Sequence, residues 1–568
     1  MEIPCTRTDP SASSGCHVRD RYNRAVSKER ATDAKSDLGI PFTYGPQSFV
    51  RGAGMNIRKT GALEHIVNCL QFVALVFMAA AAAPLSHAQS VPAFPGAQGS
   101  GAFSIGGRGG VVMEVTNLND TGSGSLRACV EASGPRTCVF RTGGTITLHS
   151  NLHILNPYIT IAGQTAPGGG IQITNDNSST DDLLRVGTHD VIVRYIRARN
   201  SSPYNSGSYC VLISINSESA DVYNVMFDHI SMAYGIWDNG GVWSTTNPAY
   251  DVTFQWSIQA EPLFTINHSV NDNISGATSA MSDRMHDIDF HHNFLTGGDH
   301  RNPIHRVLSG RIVNNLIYNA AYYDIKAGGN KDIVGNYIKA GPYTATPLHE
   351  IQTWTAVSIG TTAPPSLYIV GNAANSNAFN PNSDQWSGSL TALAPGEDDS
   401  DSVTSPISTS YRRTTPLTDV SVPITINVAT DVASANGLLL PAYPNSQGNP
   451  GVGASARLGC DGSWLSNRDS ADSNFVTQFI NNTGHSANIV SIPASPALAT
   501  GAACASTAHD GLPDQWKIAE GFNASDSTVA NRVSPNGYTY LELYLNGSSV
   551  PIAAAPAPPT QLTVTSIQ

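Results

Sequence analysis

A short β-rich run recurs along the middle of this chain, and it constrains the fold more than any other feature. Between about residues 158 and 372 the series reads VIVRYI (Val191…Arg194), VMFDHI (Val225…Asp228), VTFQWSI (Val252…Gln255), FHHNFL (Phe290…Asn293), IVNNLI (Ile312…Asn315), IVGNYI (Ile333…Asn336) and IVGN (Ile369…Asn372). The step is 21 or 22 residues where connections are short and reaches 38 where they are long. Runs of four to six β-formers bounded by Gly, Asn and Ser are strands. Strands repeating at this spacing make a solenoid, because one unit alone cannot bury its apolar face. A helical solenoid needs long stretches with 3.6 periodicity, and these are absent. With 51 Gly, 34 Pro and 13% charged residues, coiled coils and helical bundles are excluded as well.

The expected fold is all-β: a right-handed parallel β-helix with a small irregular C-terminal region. Val, Ile and Phe should stack coil on coil inside it. Asn293, Asn315 and Asn336 fall at one register, where amides can bond one another and the turn backbone, and are read as structural. Stacked strands make a long flat face, and variable connections build a groove along it, which suits a polymer substrate.

The first 54 residues are polar and patternless and read as an over-called upstream segment. Residues 55–88 have the form of a secretory signal: Arg58 and Lys59, an apolar stretch over 65–83, then Ser86-His87-Ala88. The mature chain should begin near Gln89. Without residues 1–88 the chain keeps 21 basic and 36 acidic side chains, net −15. Nucleic acid and anionic membranes are poor partners for it, and after signal cleavage no membrane association is expected. Export permits disulfides. Cys129–Cys138 and Cys460–Cys504 are plausible staples, with Cys210 left over.

The β-helix is expected over 89–395 and a loop-rich extension over 396–505. Residues 506–548 should form a small unit like a degenerate calcium loop, and 549–568 a Pro-rich linker with the start of a truncated module. In the 506–548 unit Arg532, Ser534, Asn536 and Leu543 stand where calcium ligands would be, so it is expected to be metal-free.

The segments FPGAQGSGAFSIGG, VTNLNDTGSGSLRACVEASGPRTCVFRTGGTI, YITIAGQTAPGGG, FDHISMAYG, FHHNFL, HRNPIHR, IVNNLIYN and VGNYIKAGP occur in order between about 94 and 343. Together they resemble secreted bacterial pectate lyases of polysaccharide lyase family one. The resemblance implies a parallel β-helix, an extracellular location and eliminative cleavage of polygalacturonate using calcium; the chain is expected to be a monomer whose partner is polygalacturonate or pectin. The family's base is an arginine in the pattern Arg-x-Pro-x-x-Arg, here Arg301-Asn302-Pro303-Ile304-His305-Arg306. By that correspondence Arg301 is the base and Arg306 binds a substrate carboxylate.

The chemistry is demanding. An arginine has a pKa above about 12, so nearby cations must lower it before it can take a proton. Otherwise both guanidiniums only clamp an acidic polymer. His305 is a candidate sugar contact, and His300 could serve likewise. Trp237, with Trp243 and Tyr234, either lines the groove or packs in the core. Asp238 is the candidate calcium ligand, and Glu261 and Asp272 could add oxygens. Two departures stand out. The family's His-x-Lys-Gly reads His268-Ser269-Val270-Asn271, and an aspartate expected before the Ile-Ser-Ile-like strand is Val211. Asp228 is read as structural. His291 and His292 should be one packed and one exposed. The alternatives are a calcium-independent lyase for methyl-esterified pectin, whose ester needs no cation, and a non-catalytic pectin-binding β-helix protein. Hydrolysis would need convergent acids, and these are scattered.

Overall fold

The computed structural model describes residues 91–176, 182–201, 211–217, 219–235, 238–243, 246–262, 272–276, 285–298, 301–321, 323–344, 349–353, 364–374, 384–387, 390–393, 403–418, 451–484 and 493–547. The upstream segment, the signal, the 549–568 tail and Cys210 therefore lie outside the described residues.

Three successive strands make one coil, and each strand hydrogen-bonds to its counterpart one coil away. Val222–Asp228, Ser231–Ala233 and Asp238–Trp243 are followed by Ala249–Gln255, Ile258–Ala260 and Asp272–Gly276, then by Met285–His291, Phe294–Thr296 and Ile304–His305. Repetition builds three sheets: sheet 1, with Val222–Asp228, has ten strands, sheet 2, with Ser231–Ala233, has nine, and sheet 3, with Asp238–Trp243, has ten. The pairing is parallel throughout except where Leu390–Leu393 meets Val403–Pro406 at the C-terminal end. This is a right-handed parallel β-helix. Its interior is apolar because strand alternation sends every second residue inward. Val225, Val252 and Ile288 stack in one column, and the rings of Phe227 and Phe254 lie 4.6 Å apart. The first turn after sheet 1 needs a left-handed residue in each coil. His229, Trp256, His292 and Asn314 supply it at φ 52 to 57°, and Gly335 and Gly371 supply it in the later coils without steric strain.

The asparagine ladder is present and longer than expected. The Asn315 carboxamide donates to the Phe290 carbonyl and to Asn336 Oδ1, both at 3.0 Å, and its oxygen accepts from Asn293 N and Nδ2. Asn372 and Gln385 continue the series, and Ser257 begins it. The expected register is corrected at one point. Phe290 pairs with Phe254, and Ile288 pairs with Val252. Arg194, Asp228 and Gln255 thus stand in register with His291, not with Asn293. Removing one rung leaves several buried polar groups without partners. Asn315→Ala is expected to lower unfolding free energy by about 2–4 kcal/mol in denaturant titration. A loss below about 1 kcal/mol would mean that the ladder is not cooperative.

Segments from both ends cover sheets 1 and 2. Residues 93–104 lie across sheet 1: Ser100 N and Oγ both donate to Asp289 Oδ2, and the Arg194 guanidinium lies 3.7 Å from the centre of the Phe94 ring. Asp228 is fully buried there. Burial alone would raise its carboxyl, but His229 and Arg194 bring it well below the usual carboxylate range. It is a structural acid. His291 and His292 are both buried, not one in and one out. The 93–104 segment reaches His291 through Gln98 O, and His292 stacks 4.4 Å from Trp256, whose carbonyl bonds Gly453 N.

Over 396–505 the structure holds more than loops. A hairpin (Ala456–Leu458 with Trp464–Ser466) leads into the helix Ser470–Asn481, whose N-cap Asp469 accepts from Asp472 N. The helix is tied to sheet 2 through Arg199 and Ser231, and the hairpin packs by Leu458 and Trp464 beside Ala162 and Tyr195. Tyr234 is buried against Phe475, which selects the core alternative for that tyrosine. Disulfides join Cys129 to Cys138 and Cys460 to Cys504. Residues 506–547 close a second small core around Trp516, Tyr538 and Leu541, and Leu543 is buried in it.

Candidate active site

Sheet 3 places the charged residues. Its ladder pairs Asp182 with Val211, and Asp238 with Asp272. Ile213 pairs with Gly240, so Val211 and Asp238 share one register. Ser275 pairs with Ile304, and Ile304 pairs with Lys326 on the next coil, while Arg301 lies in the turn that leads into the strand Ile304–His305. Coil stacking thus sets positions 182, 211, 238 and 272 in one register, and the turn before Ile304 brings the Arg301 guanidinium beside Asp238. These residues are far apart in sequence, and only the solenoid brings them together.

Arg301 is 6% exposed and Asp238 fully buried. Arg301 Nη1 lies 3.6 Å from Asp238 Oδ2. Arg301 has φ 61°, a left-handed value that a bulky side chain rarely adopts. Arg306 is half-buried five residues on. Lys326 is fully buried, as is Gln352, its neighbour in the ladder.

His305 is corrected. It is fully buried, with its ring 5.2 Å from Phe290 in an edge-on contact and against Gly310. Alternation turns it into the coil interior, so it is not placed to touch a sugar. Burial, reinforced by Lys331, pushes its imidazole well below the usual histidine range. Glu261 is also removed from the site: it is buried beneath the sheet-2 helix, where its Oε1 accepts from Gln478 Nε2 at 2.9 Å. Trp237, His300 and His268-Ser269-Val270-Asn271 lie outside the described residues, as do the side chains of Trp243 and Asp272.

Calcium takes six to eight oxygens, several of them carboxylates. Among the described residues no three Asp, Glu, His or Cys side chains converge. The Asp182 carboxylate is engaged by Ser214 Oγ and by Arg185, each at 2.7 Å. The Asp238 carboxylate faces a guanidinium, which repels a second cation. The described donors do not fit a resident calcium ion, and no step is derived through one.

The site is a carboxylate–guanidinium arrangement on the flank of a β-helix. No family model matches the chain. It is similar to fungal proteins named probable pectate lyase C: that of Aspergillus flavus is 34% identical over 270 residues (46% of this chain, 57% of the relative), and that of Aspergillus oryzae 35% over 266 residues (45% and 56%). The chain thus spans a little over half the length of the curated relatives it matches. Among solved structures it is similar to the cedar pollen allergen jun a 1 (16% identity, 56% of this chain and 87% of that one, TM-score 0.37) and to a double variant of pectate lyase from Xanthomonas campestris (16%, 61% and 97%, TM-score 0.37). The fold assignment itself rests on this chain's own strand pairing.

Sequence reasoning missed Asp182, Lys326 and Gln352. Their signal is the sheet-3 register, which appears only once the coils are aligned.

Proposed function

We propose that the chain is an exported polysaccharide lyase, of the family-one kind, that cleaves polygalacturonate by β-elimination. Arg301 acts as base and Arg306 clamps a uronate carboxylate. The observation that supports this reading is the approach of Arg301 Nη1 to Asp238 Oδ2 at 3.6 Å, taken together with the chain's similarity to pectate lyases. Arg301 takes the C5 proton, the C4–O bond breaks, and its electron pair leaves with the oxygen while C4=C5 forms. The leaving oxygen takes a proton from solvent. Asp238 favours the protonated guanidinium. A uronate entering beside Arg306 must displace the Asp238 carboxylate before Arg301 can act as base.

The Asp238–Arg301 pair also favours a second reading, a lyase for methyl-esterified pectin. The described carboxylate is already neutralised, and an ester requires no bridging cation. Product formation on both polymers, with and without a chelator, tests the two. Unsaturated product that survives chelation is expected, and the faster polymer names the substrate. Loss on chelation with recovery on adding calcium would overturn the metal-free site. No product on either polymer, with retention on a pectin column, would leave a binding protein.

A further inference from the structure

We propose that Lys331 is a positioning residue for turnover, an interior strut that holds the Arg301–Arg306 segment from inside the coil together with His305; this rests on the β-elimination reading above. Lys331 lies in the strand Asn330–Val334, on the inward face it shares with Ile333, and is fully buried. Its ladder column otherwise carries Val252, Ile288, Gly310 and Leu367. An amine in such a column is costly unless hydrogen-bonded. Its Nζ donates to the carbonyl of Val307, the residue after Arg306, at 2.5 Å.

The surroundings are shaped to this contact. Gly310 pairs with Lys331, and a Cβ at 310 would come within 2.7 Å of His305 Cε1 and 1.9 Å of the Ile288 carbonyl. The missing side chain makes room for the His305 ring beside Lys331. Burial drives the Lys331 amine well below the usual lysine range, with Asp287, Asp289 and Asp332 opposing it in part. The Val307 carbonyl gives the buried amine its hydrogen-bond partner. Backbone bonds hold the same segment from outside: Gly328 N to His305 O at 3.3 Å and Leu308 N to Met285 O at 2.8 Å. Lys331 supplies a side-chain anchor from within.

The test compares Lys331→Met and Lys331→Gln in the full chain. Methionine fills the space without a donor. Its kcat should fall about tenfold or more with KM within about threefold, while its thermal midpoint holds or rises. Glutamine keeps a donor one atom short. It should lose about threefold in kcat yet be the less stable of the two. Opposite rankings in activity and stability separate positioning from simple support of the core. An unchanged kcat in Lys331→Met, with Arg301→Lys inactive, overturns the proposal. If Lys331→Met fails to fold, an unchanged kcat in Lys331→Gln overturns it instead. An active Arg301→Lys enzyme would place the failure in the β-elimination reading.

Discussion

Arg301→Lys is expected to lower turnover by about 10²–10⁴-fold, the range lost with a positioned base, while the protein stays folded. Lysine keeps the positive charge, so the attraction to Asp238 at 3.6 Å persists in kind and the sheet-3 column keeps its electrostatic balance. It loses the planar, bidentate fork of the guanidinium. Its ammonium also carries its proton at a different height above the sheet. Steady-state rates on the preferred polymer, with circular dichroism to confirm folding, check this. A near-normal rate would reduce Arg301 to a clamp.

The largest effect on stability is expected at Asp472. Arg197 and Arg199 emerge from the sheet-2 strand Ile196–Arg199 fully buried. Arg199 Nη2 lies 2.7 Å from Asp472 and Nη1 2.6 Å from Asp469, while Arg197 Nε lies 3.0 Å from Asp469. Asp472 also accepts from Ser231 Oγ at 2.6 Å. Burial works against the Arg199 charge, but Asp472 and Asp469 hold it above the usual arginine range. Asp472→Ala leaves a buried guanidinium half-compensated and removes one of the two carboxylates that tie the helix Ser470–Asn481 to sheet 2. A loss of about 3–5 kcal/mol is expected in denaturant unfolding. A loss below about 1 kcal/mol would mean that Phe475 and Phe479 alone dock the helix.

What could be read from the residues follows a physical boundary. Coil stacking is written in the apolar spacing, so the solenoid, the interior Val, Ile and Phe, and the amide ladder of Asn293, Asn315 and Asn336 were legible. The slip of two residues at Phe290 arose because Val252 and Phe254 both face inward, and spacing alone cannot say which one Phe290 joins. The sheet-2 helix was not legible. Its apolar face, Phe475, Val476 and Phe479, is short, and its docking depends on Arg197 and Arg199, whose burial no local pattern signals. At the site, Arg301 and Arg306 were legible as a motif. His305 was not, because its direction depends on how the chain enters the strand Ile304–His305 from a left-handed Arg301. Lys331 gave no sign either, since a lysine in a β-run reads as an outward residue until its partners across the ladder are known.

The most direct test of the account is the chemistry of the cut. Purified chain acting on polygalacturonate should generate ultraviolet absorbance from a C4–C5 double bond in step with new reducing ends. New reducing ends without that absorbance would mean hydrolysis, and would contradict a proton abstracted by Arg301.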